Sequence, residues 1–229
     1  MRKNIYLLCC LILIGCTQDN INVCECDRFE REKNDEAAIT CYSACIDKGT
    51  QNLQTHLKYI NLLRRTNHIE KAATALTNAH QIFAPSYPIV LLQGKLFLDQ
   101  GDIEAASAIF QKIIDQDRSD HVALNALAVA FDINHQYKAT QKLYQKALKL
   151  LPDHPAYLTN LGLSLIGSKN YKQAVAILSS IRTHDHARDN LALAYAALGR
   201  KKDFHDLLTP HFNKEERDNL YKLLKASSL

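Results

Sequence analysis

The sequence predicts an all-α fold built from helix–turn–helix repeats, and three observations support this prediction. Apolar and small side chains recur with a period of 34 residues along most of the chain. Within each period the apolar positions are spaced by three and four, which places them on one face of a helix. Gly and Pro number only 7 and 5 in 229 residues, whereas Ala and Leu are abundant, a composition that favours helix. A period of this length is typical of stacked repeats.

Two positions show the repeat most clearly. A large apolar position in the second helix of each unit is occupied in turn by Leu76, Phe110, Tyr144 and Leu178. A small position in the first helix is occupied by Gly94, Ala128 and Gly162. Small residues there allow the two helices of a unit to approach closely. Polar breaks at residues 66–68, 100–102, 134–136 and 168–170 separate the two helices of each unit.

The period and the residue classes resemble the tetratricopeptide repeat, which implies a right-handed solenoid of helix pairs. On this basis the solenoid covers residues 35–229, and residues 35–49 form the second helix of an incomplete first unit. Five units are predicted over residues 53–86, 87–120, 121–154, 155–186 and 187–210. The fourth is short, because the segment 160–163 is echoed 30 residues later rather than 34. Asn213 followed by Glu216 marks the start of a capping helix over residues 213–226.

The N-terminus has the pattern of a bacterial lipoprotein signal. Arg2 and Lys3 precede an apolar run from Ile5 to Ile14, which is shorter than the roughly 20 residues needed to span a bilayer. The run ends in Leu-Ile-Gly-Cys, which resembles the lipoprotein box. We therefore expect residues 1–15 to be a cleaved signal peptide and Cys16 to carry acyl chains, including palmitate. The alternative is an ordinary secretory signal with an incidental cysteine.

Four cysteines remain in the mature chain, namely Cys24, Cys26, Cys41 and Cys45. An even number in an exported chain predicts disulfides. Residues four apart on a helix lie too far apart to bridge well, so we expect two bonds that join the 24–26 segment to the helix that carries Cys41 and Cys45. Both crossed patterns remain open. A four-thiolate zinc site is the alternative, but its spacing is not the usual C-x₂-C pair. Residues 16–34 are otherwise expected to be an anchor and linker.

The sequence contains no catalytic motif, so we predict a protein that is not an enzyme and has no cofactor. Neither G-x-S-x-G, nor H-E-x-x-H, nor a phosphate-binding glycine loop is present. His184 and His186 flank Asp185 without a second ligand cluster, so we interpret them as loop residues and predict no metal site. Loss of Arg2 and Lys3 with the signal leaves 26 basic against 24 acidic residues, a balance that gives no indication of nucleic-acid binding.

The resemblance to tetratricopeptide repeats implies a concave groove, lined by the first helix of each unit, that binds a segment of a partner protein. The family's groove positions correspond here to Leu57, Asn61, Arg64, Leu91, Lys95, Leu98, Asn125, Val129, Asp132, Thr159, Leu163 and Ile166. The centre of this set is apolar, which favours an apolar or amphipathic segment. The alternative is that some of these side chains pack on neighbouring helices. The polar clamp that other members use to hold a terminal carboxylate is not evident.

Together with the lipoprotein box, four segments resemble the TadD family of tight-adherence (Flp) pilus systems: ALNALAVAF, YKATQKLYQKALKLLPDHP, NLGLSLIGSKNYKQAVAIL and ARDNLALAYAALGR. This resemblance covers roughly residues 53–208 and implies an outer-membrane assembly factor that faces the periplasm. Its partner would be a secretin or another pilus-assembly component. Thr17 after the lipidated cysteine agrees with sorting to the outer membrane. One alternative function is an envelope adaptor that recruits peptidoglycan hydrolases or other secretion components, and another is an enzyme or metal protein that uses the Cys and His residues.

Overall fold

The structure is a computed structural model that describes residues 18–209 and 211–227, with side chains for residues 25–209 and 211–226. The described residues form thirteen α-helices and one short 3-10 turn, Ser179–Ile181. The helices are α1 Gln18–Arg31, α2 Asp35–Asp47, α3 Leu53–Arg65, α4 Ile69–Ile82, α5 Tyr87–Asp99, α6 Ile103–Gln116, α7 His121–Ile133, α8 Tyr137–Leu150, α9 Pro155–Gly167, α10 Tyr171–Leu178, α11 Asp185–Ala197, α12 Lys201–Leu208 and α13 Lys214–Ser227. The all-α prediction is therefore confirmed.

The membrane-anchor predictions lie outside this described part. Residues 1–15 and the lipidation site Cys16 precede it, and the side chain of Cys24 is also not described. Among the described helices, none combines the length and the apolar character needed to span a bilayer.

The backbone itself repeats with the predicted period. A residue in the left-handed region follows α1, α3, α5, α7, α9 and α11; these residues are Lys33, Asn67, Gly101, His135, Lys169 and Gly199. Five successive members are 34 residues apart, and the last follows after 30. A left-handed residue just beyond a helix lets the chain turn back while satisfying the last carbonyl groups. The same turn therefore joins the two helices of every unit.

Side-chain caps fix the start of several helices. Asn34, Asn52, Asp102 and Asp120 each accept a hydrogen bond from a backbone N–H in the first turn of the helix that follows. Each such cap typically contributes about 1 kcal/mol. Asn213 and Glu216 form a reciprocal pair at the start of α13, with N–H to side-chain oxygen distances of 2.8 and 3.0 Å. This is the capping box that the sequence signal indicates.

The chain divides into two compact units, and the first ends at Gly101. Within it, α1 pairs with α2 and α3 pairs with α4, and α5 packs on both α3 and α4. Helix α1 occupies most of the segment that we expected to be an anchor and linker, and in this the structure differs from the sequence-based expectation. Cys26 on α1 is fully buried, as is Tyr42 on α2, and both belong to a core cluster with Leu62. The first helix pair is therefore complete.

The second unit begins at Asp102 and contains α6 to α13. Gly162 on α9 lies so close to α10 that an added Cβ would meet Leu178 at 2.5 Å, which explains the small repeat position. Helix α10 has only 8 residues and continues as the 3-10 turn, where the equivalent helix α8 has 14. The residues missing from the short fourth unit are therefore missing from its second helix. At the C-terminus, Tyr221 of α13 packs edge-on against Phe204 of α12.

Candidate partner-binding surface

The first unit carries six of the predicted groove residues, on α3 and α5. The α3 positions are Leu57, Asn61 and Arg64, and the α5 positions are Leu91, Lys95 and Leu98. Leu57 and Leu91 are 7% and 9% exposed, so they pack into the core instead of lining an open surface. For these two residues the structure favours the alternative that groove positions pack on neighbouring helices.

The polar residues of this first set hold each other in place. Arg64 forms an ion pair with Asp99 at 2.5 Å and donates hydrogen bonds to Asn61 Oδ1 and the Lys95 carbonyl. Burial lowers the pKa of Lys95, and the nearby Arg64 guanidinium lowers it further, although Asp99 opposes the effect. The acceptors around Arg64 are therefore supplied by the chain itself.

The second unit carries the other six predicted residues, on α7 and α9. These are Asn125, Val129 and Asp132 on α7, and Thr159, Leu163 and Ile166 on α9. Leu163 is 49% exposed, whereas Ile166 is only 9% exposed and belongs to the core. Val129 packs partly against the same core. The structure therefore brings together one exposed leucine, a half-buried valine and a carboxylate on this part of the surface.

A cavity of about 400 Å³ opens at this place in the second unit. It lies between the C-terminal halves of α7 and α9 and the start of α8. Its lining residues are Val129, Asp132, Ile133, His135, Tyr137, Tyr144, Asn160, Leu163, Ser164, Ile166 and Gly167. Four of the six predicted groove residues of this unit are among them. The walls are mainly apolar, which is typical of pockets that bind a side chain or a small ligand.

Asp132 is the charged group of this cavity. The Tyr144 hydroxyl donates to its Oδ2 at 3.1 Å. Its other oxygen, Oδ1, is buried and has no hydrogen-bond partner among the described residues. Burial raises the pKa of Asp132, and the nearby hydroxyls of Ser164, Tyr144 and Thr140 only partly oppose the shift. A buried carboxylate oxygen without a donor costs free energy, and a ligand that donates to it would recover that cost.

Several residues of this cavity were not predicted. Ser164 is 1% exposed, and its Oγ, like Asp132 Oδ1, has no hydrogen-bond partner among the described residues. Gly167 lets the Tyr137 ring pack directly against α9, since an added Cβ would meet that ring at 2.6 Å. Asn160 donates to Asn125 Oδ1 at 3.0 Å and so joins α9 to α7. Each of these residues occupies an ordinary helical position, so residue type alone gave no signal.

The cysteines with described side chains, Cys26, Cys41 and Cys45, lie in the first unit. Cys26 and Cys41 form a disulfide that joins α1 to α2, with a Cα–Cα distance of 5.4 Å. This pair occurs in one of the two crossed patterns, the one that leaves Cys24 to bond Cys45. Cys45 Sγ lies 3.9 Å from Cys26 Sγ. The disulfide takes two of the four sulfurs that the alternative zinc site would need.

The histidine pair of the short unit lies at a helix start. His184 is the residue before α11, and Asp185 and His186 form its first turn. Asp185 accepts a hydrogen bond from Arg188 one turn later, so it has a structural partner. This differs from the loop that the sequence suggested.

Comparison with known proteins identifies the repeats. Residues 91–138 and 133–198 each match a family model described as tetratricopeptide repeat. This part of the chain consists of tetratricopeptide repeats. The fold of the described residues is accordingly a tetratricopeptide-repeat fold, which typically serves as a scaffold that binds other proteins. No curated protein is similar enough in sequence to count as a match.

Solved structures show the same fold at low sequence identity. A chain of the APC/C heterotetramer Cut9–Hcn1 has a TM-score of 0.71 and 18% identity, and the match covers 90% of this chain and 42% of that one. PilW, a widely conserved type IV pilus biogenesis factor, has a TM-score of 0.69 and 15% identity, with 90% and 100% covered. A thermophilic tetratricopeptide-repeat protein from Thermus thermophilus has a TM-score of 0.63 and 14% identity, with 77% and 98% covered. This chain spans less than half of the Cut9–Hcn1 chain.

Proposed function

We propose that this protein is a lipid-anchored scaffold that binds a partner protein through the cavity surface of its second unit. The observation that carries the proposal is the open, mainly apolar cavity beside Leu163, on the helix positions that tetratricopeptide repeats use for partners. Leu163 is half exposed there, although its neighbours Leu161 and Leu165 are buried. An exposed leucine at the edge of an apolar cavity is well suited to contact a partner's apolar side chain.

The system that it serves is proposed to be a tight-adherence (Flp) pilus, in the role of a TadD-like assembly factor. The support comes from the lipoprotein box at Cys16 and from the repeat segments that resemble the TadD family. PilW provides a precedent for this fold in a pilus biogenesis factor. On this proposal the protein is anchored in the outer membrane, faces the periplasm and helps a secretin or another pilus component to assemble.

The anchor is tested by Cys16→Ser in the native host. The variant should accumulate as an uncut precursor and lose its partition into the detergent phase, because the acyl chains are the proposed membrane attachment. Metabolic labelling with an alkyne fatty acid gives a direct readout of lipidation. Normal labelling and membrane partition in the variant would disprove the anchor at Cys16.

The partner is tested by photo-crosslinking in living cells from position 163, with position 223 as the matched control. Leu223 on α13 is also an exposed leucine, 66% exposed, but it lies outside the cavity surface. Capture of a secretin or a pilus-assembly protein from position 163 alone supports the proposal. Capture of a peptidoglycan hydrolase favours the adaptor function instead. Equal capture from both positions would show that the cavity surface is not the binding site.

A further inference from the structure

The tyrosine–carboxylate pair of this cavity has a counterpart in the first unit, three repeat periods or 102 residues earlier. Tyr144 and Asp132 correspond to Tyr42 and Glu30. Both tyrosines are buried, and both donate a hydrogen bond to their acid at 3.1 Å. Tyr42 also donates to Asp27 at 2.5 Å, an acid whose counterpart in the second copy is Val129. A buried tyrosine beside an acid of the preceding helix therefore occurs in both copies.

The two copies differ in what neutralises the acid. In the first copy the next helix supplies the cations. Arg65 approaches Glu30 at 3.5 Å and Asp35 at 2.6 Å, and Lys58 pairs with Asp27 at 2.7 Å. Each acidic group of the first copy thus has a Lys or Arg from its own chain beside it.

In the second copy these cations are missing. The positions that correspond to Lys58 and Arg65 are occupied by Asn160 and Gly167. Among the described residues, no Lys or Arg forms an ion pair with Asp132, and the shorter Asn160 lines the cavity at the position of Lys58. The Tyr137 ring lies directly against Gly167, so no basic side chain takes the place of Arg65 there. The cavity therefore lies next to a carboxylate that has no Lys or Arg partner, although the charge of His135 opposes its pKa shift.

We infer that the cavity binds the ammonium or guanidinium group of a lysine or arginine side chain from the partner protein, next to an apolar side chain that packs on Leu163. The inference rests on the proposed function of this surface and specifies the partner's chemistry. The basic group donates to Asp132 Oδ1 and lies where the first copy has its own cation. The Ser164 hydroxyl, buried and without a hydrogen-bond partner among the described residues, can accept a second hydrogen bond from the same group. A charged hydrogen bond of this kind is stronger than a neutral one.

The group bound in this way is positively charged, whereas a clamp that holds a carboxylate binds a negatively charged group. Of the described residues that line the cavity, the only other titratable ones are two tyrosines and His135, whose Nδ1 lies 2.8 Å from the Tyr137 hydroxyl. None of these carries a permanent positive charge that would compete with the ligand. An apolar residue next to a basic one is thus the pattern that we expect in the partner segment.

The test is peptide selection on the full-length protein in lipid nanodiscs, with a phage library of random 12-residue peptides. Selected peptides should be enriched in Lys or Arg beside an apolar residue. We expect replacement of that basic residue by norleucine to weaken binding about tenfold, as measured by fluorescence anisotropy. Asp132→Asn should weaken the parent peptide by a similar factor and leave the norleucine peptide unaffected. Asp153→Asn removes the same charge from an exposed turn and should change binding less than twofold.

A second test introduces a basic side chain into the cavity from the protein itself and compares it with an uncharged control. Asn160→Lys places a lysine at the position of Lys58 and should weaken basic peptides at least fivefold by competing for Asp132. Asn160→Met, which has a side chain of comparable bulk without the charge, should weaken them much less. Equal effects of the two variants would mean that only space matters and would contradict the inference.

The outcomes separate this inference from the proposed function. In one outcome, the selected peptides no longer bind the Leu163→Glu variant, but they show no preference for basic residues and bind the Asp132→Asn variant as well as the wild type. The surface then binds partners, and the inference is wrong. If the selection returns no peptide that depends on Leu163, the proposed function of this surface fails and the inference fails with it. Far-UV circular dichroism of each variant verifies that the helices are intact.

Discussion

The two tyrosine–carboxylate sites show how one repeat position can serve stability in one place and recognition in another. At the first site, Tyr42 donates to both Asp27 and Glu30, and Lys58 and Arg65 complete the network. Lys58 and Tyr42 lower the pKa of Asp27 despite its partial burial. At the second site, burial raises the pKa of Asp132, and the nearby hydroxyls and His135 oppose the shift only in part. The difference arises in the helix that follows the tyrosine. In the first site this helix, α3, carries Lys58 and Arg65, whereas in the second site α9 has Asn160 and Gly167 at the same positions.

This comparison indicates that the acidic groups of the first site are paired with Lys or Arg, whereas Asp132 of the second site is not. A buried carboxylate that lacks a counter-charge costs stability in the free protein, and natural binding sites often carry such a cost. The first unit has in addition the Cys26–Cys41 disulfide, which joins the helix bearing Asp27 to the helix bearing Tyr42. The first site is therefore built to hold the N-terminal helix pair together, whereas the second is kept open.

The largest expected effect comes from removal of either tyrosine ring. Tyr42→Ala and Tyr144→Ala should each lower the free energy of unfolding by about 3–5 kcal/mol, because both rings are almost completely buried in equivalent positions. Urea-induced unfolding followed by circular dichroism measures both. Hydrogen–deuterium exchange should locate the loss in α1–α3 for the first variant and in α7–α9 for the second. A cost below about 1 kcal/mol at either position would mean that the two sites are not equivalent.

Comparison of the two sites also shows what the sequence could predict. The 34-residue period gave the helix pairs, the polar turns and the shortened step before α11, because each repeat must bury the same face against its neighbour. It did not give α1, because few residues of that helix match the repeat positions and its burial depends on Cys26 and on acids paired with α3. Asp132 was among the predicted groove residues, but Leu57, Leu91 and Ile166 proved to be buried.

The cavity could not be predicted from residue types alone, because whether a groove position is open depends on the side chains of the next helix. The absence of a cation beside Asp132 is recognised only when Gly167 and Asn160 are compared with Arg65 and Lys58, three periods earlier. That comparison was available in the sequence, but the contacts that make it informative are visible only in the structure. The Tyr42 network shows what the missing side chains would have done.

Removal of the hydroxyl groups alone should distinguish the two sites at intermediate magnitude. Tyr144→Phe removes the hydroxyl that donates to Asp132 at 3.1 Å, leaves only the hydroxyls of Ser164 and Thr140 nearby, and should cost about 1.5–3 kcal/mol of unfolding free energy. Tyr42→Phe should cost less, because Lys58 and Arg65 remain beside the two acids. The same urea titration measures both variants, and both keep the buried ring. A larger cost at Tyr42 than at Tyr144 would contradict the view that the first site is redundantly satisfied.

The smallest and most specific effect concerns the two aspartates, whose amide variants should change stability in opposite directions. Asp132→Asn should raise the free energy of unfolding by about 1 kcal/mol at neutral pH, because it removes a buried charge without a counter-ion. Asp27→Asn should lower it by about 0.2–1 kcal/mol, a small figure because solvent screens the partly exposed Lys58–Asp27 pair. Destabilisation by Asp132→Asn would show that the carboxylate is already compensated within the chain.

The pH dependence of these differences follows from the two pKa shifts. The folded-state pKa of Asp132 lies above its ordinary value of 3.8, so its penalty is full at neutral pH and disappears as pH falls from that raised pKa to 3.8. The folded-state pKa of Asp27 lies below 3.8, so its contribution is present above 3.8 and is lost only as pH falls through the lowered pKa. On acidification the effect of Asp132→Asn should therefore vanish before that of Asp27→Asn. If both differences vanished together, the two carboxylates would share one environment and the contrast between the sites would be lost.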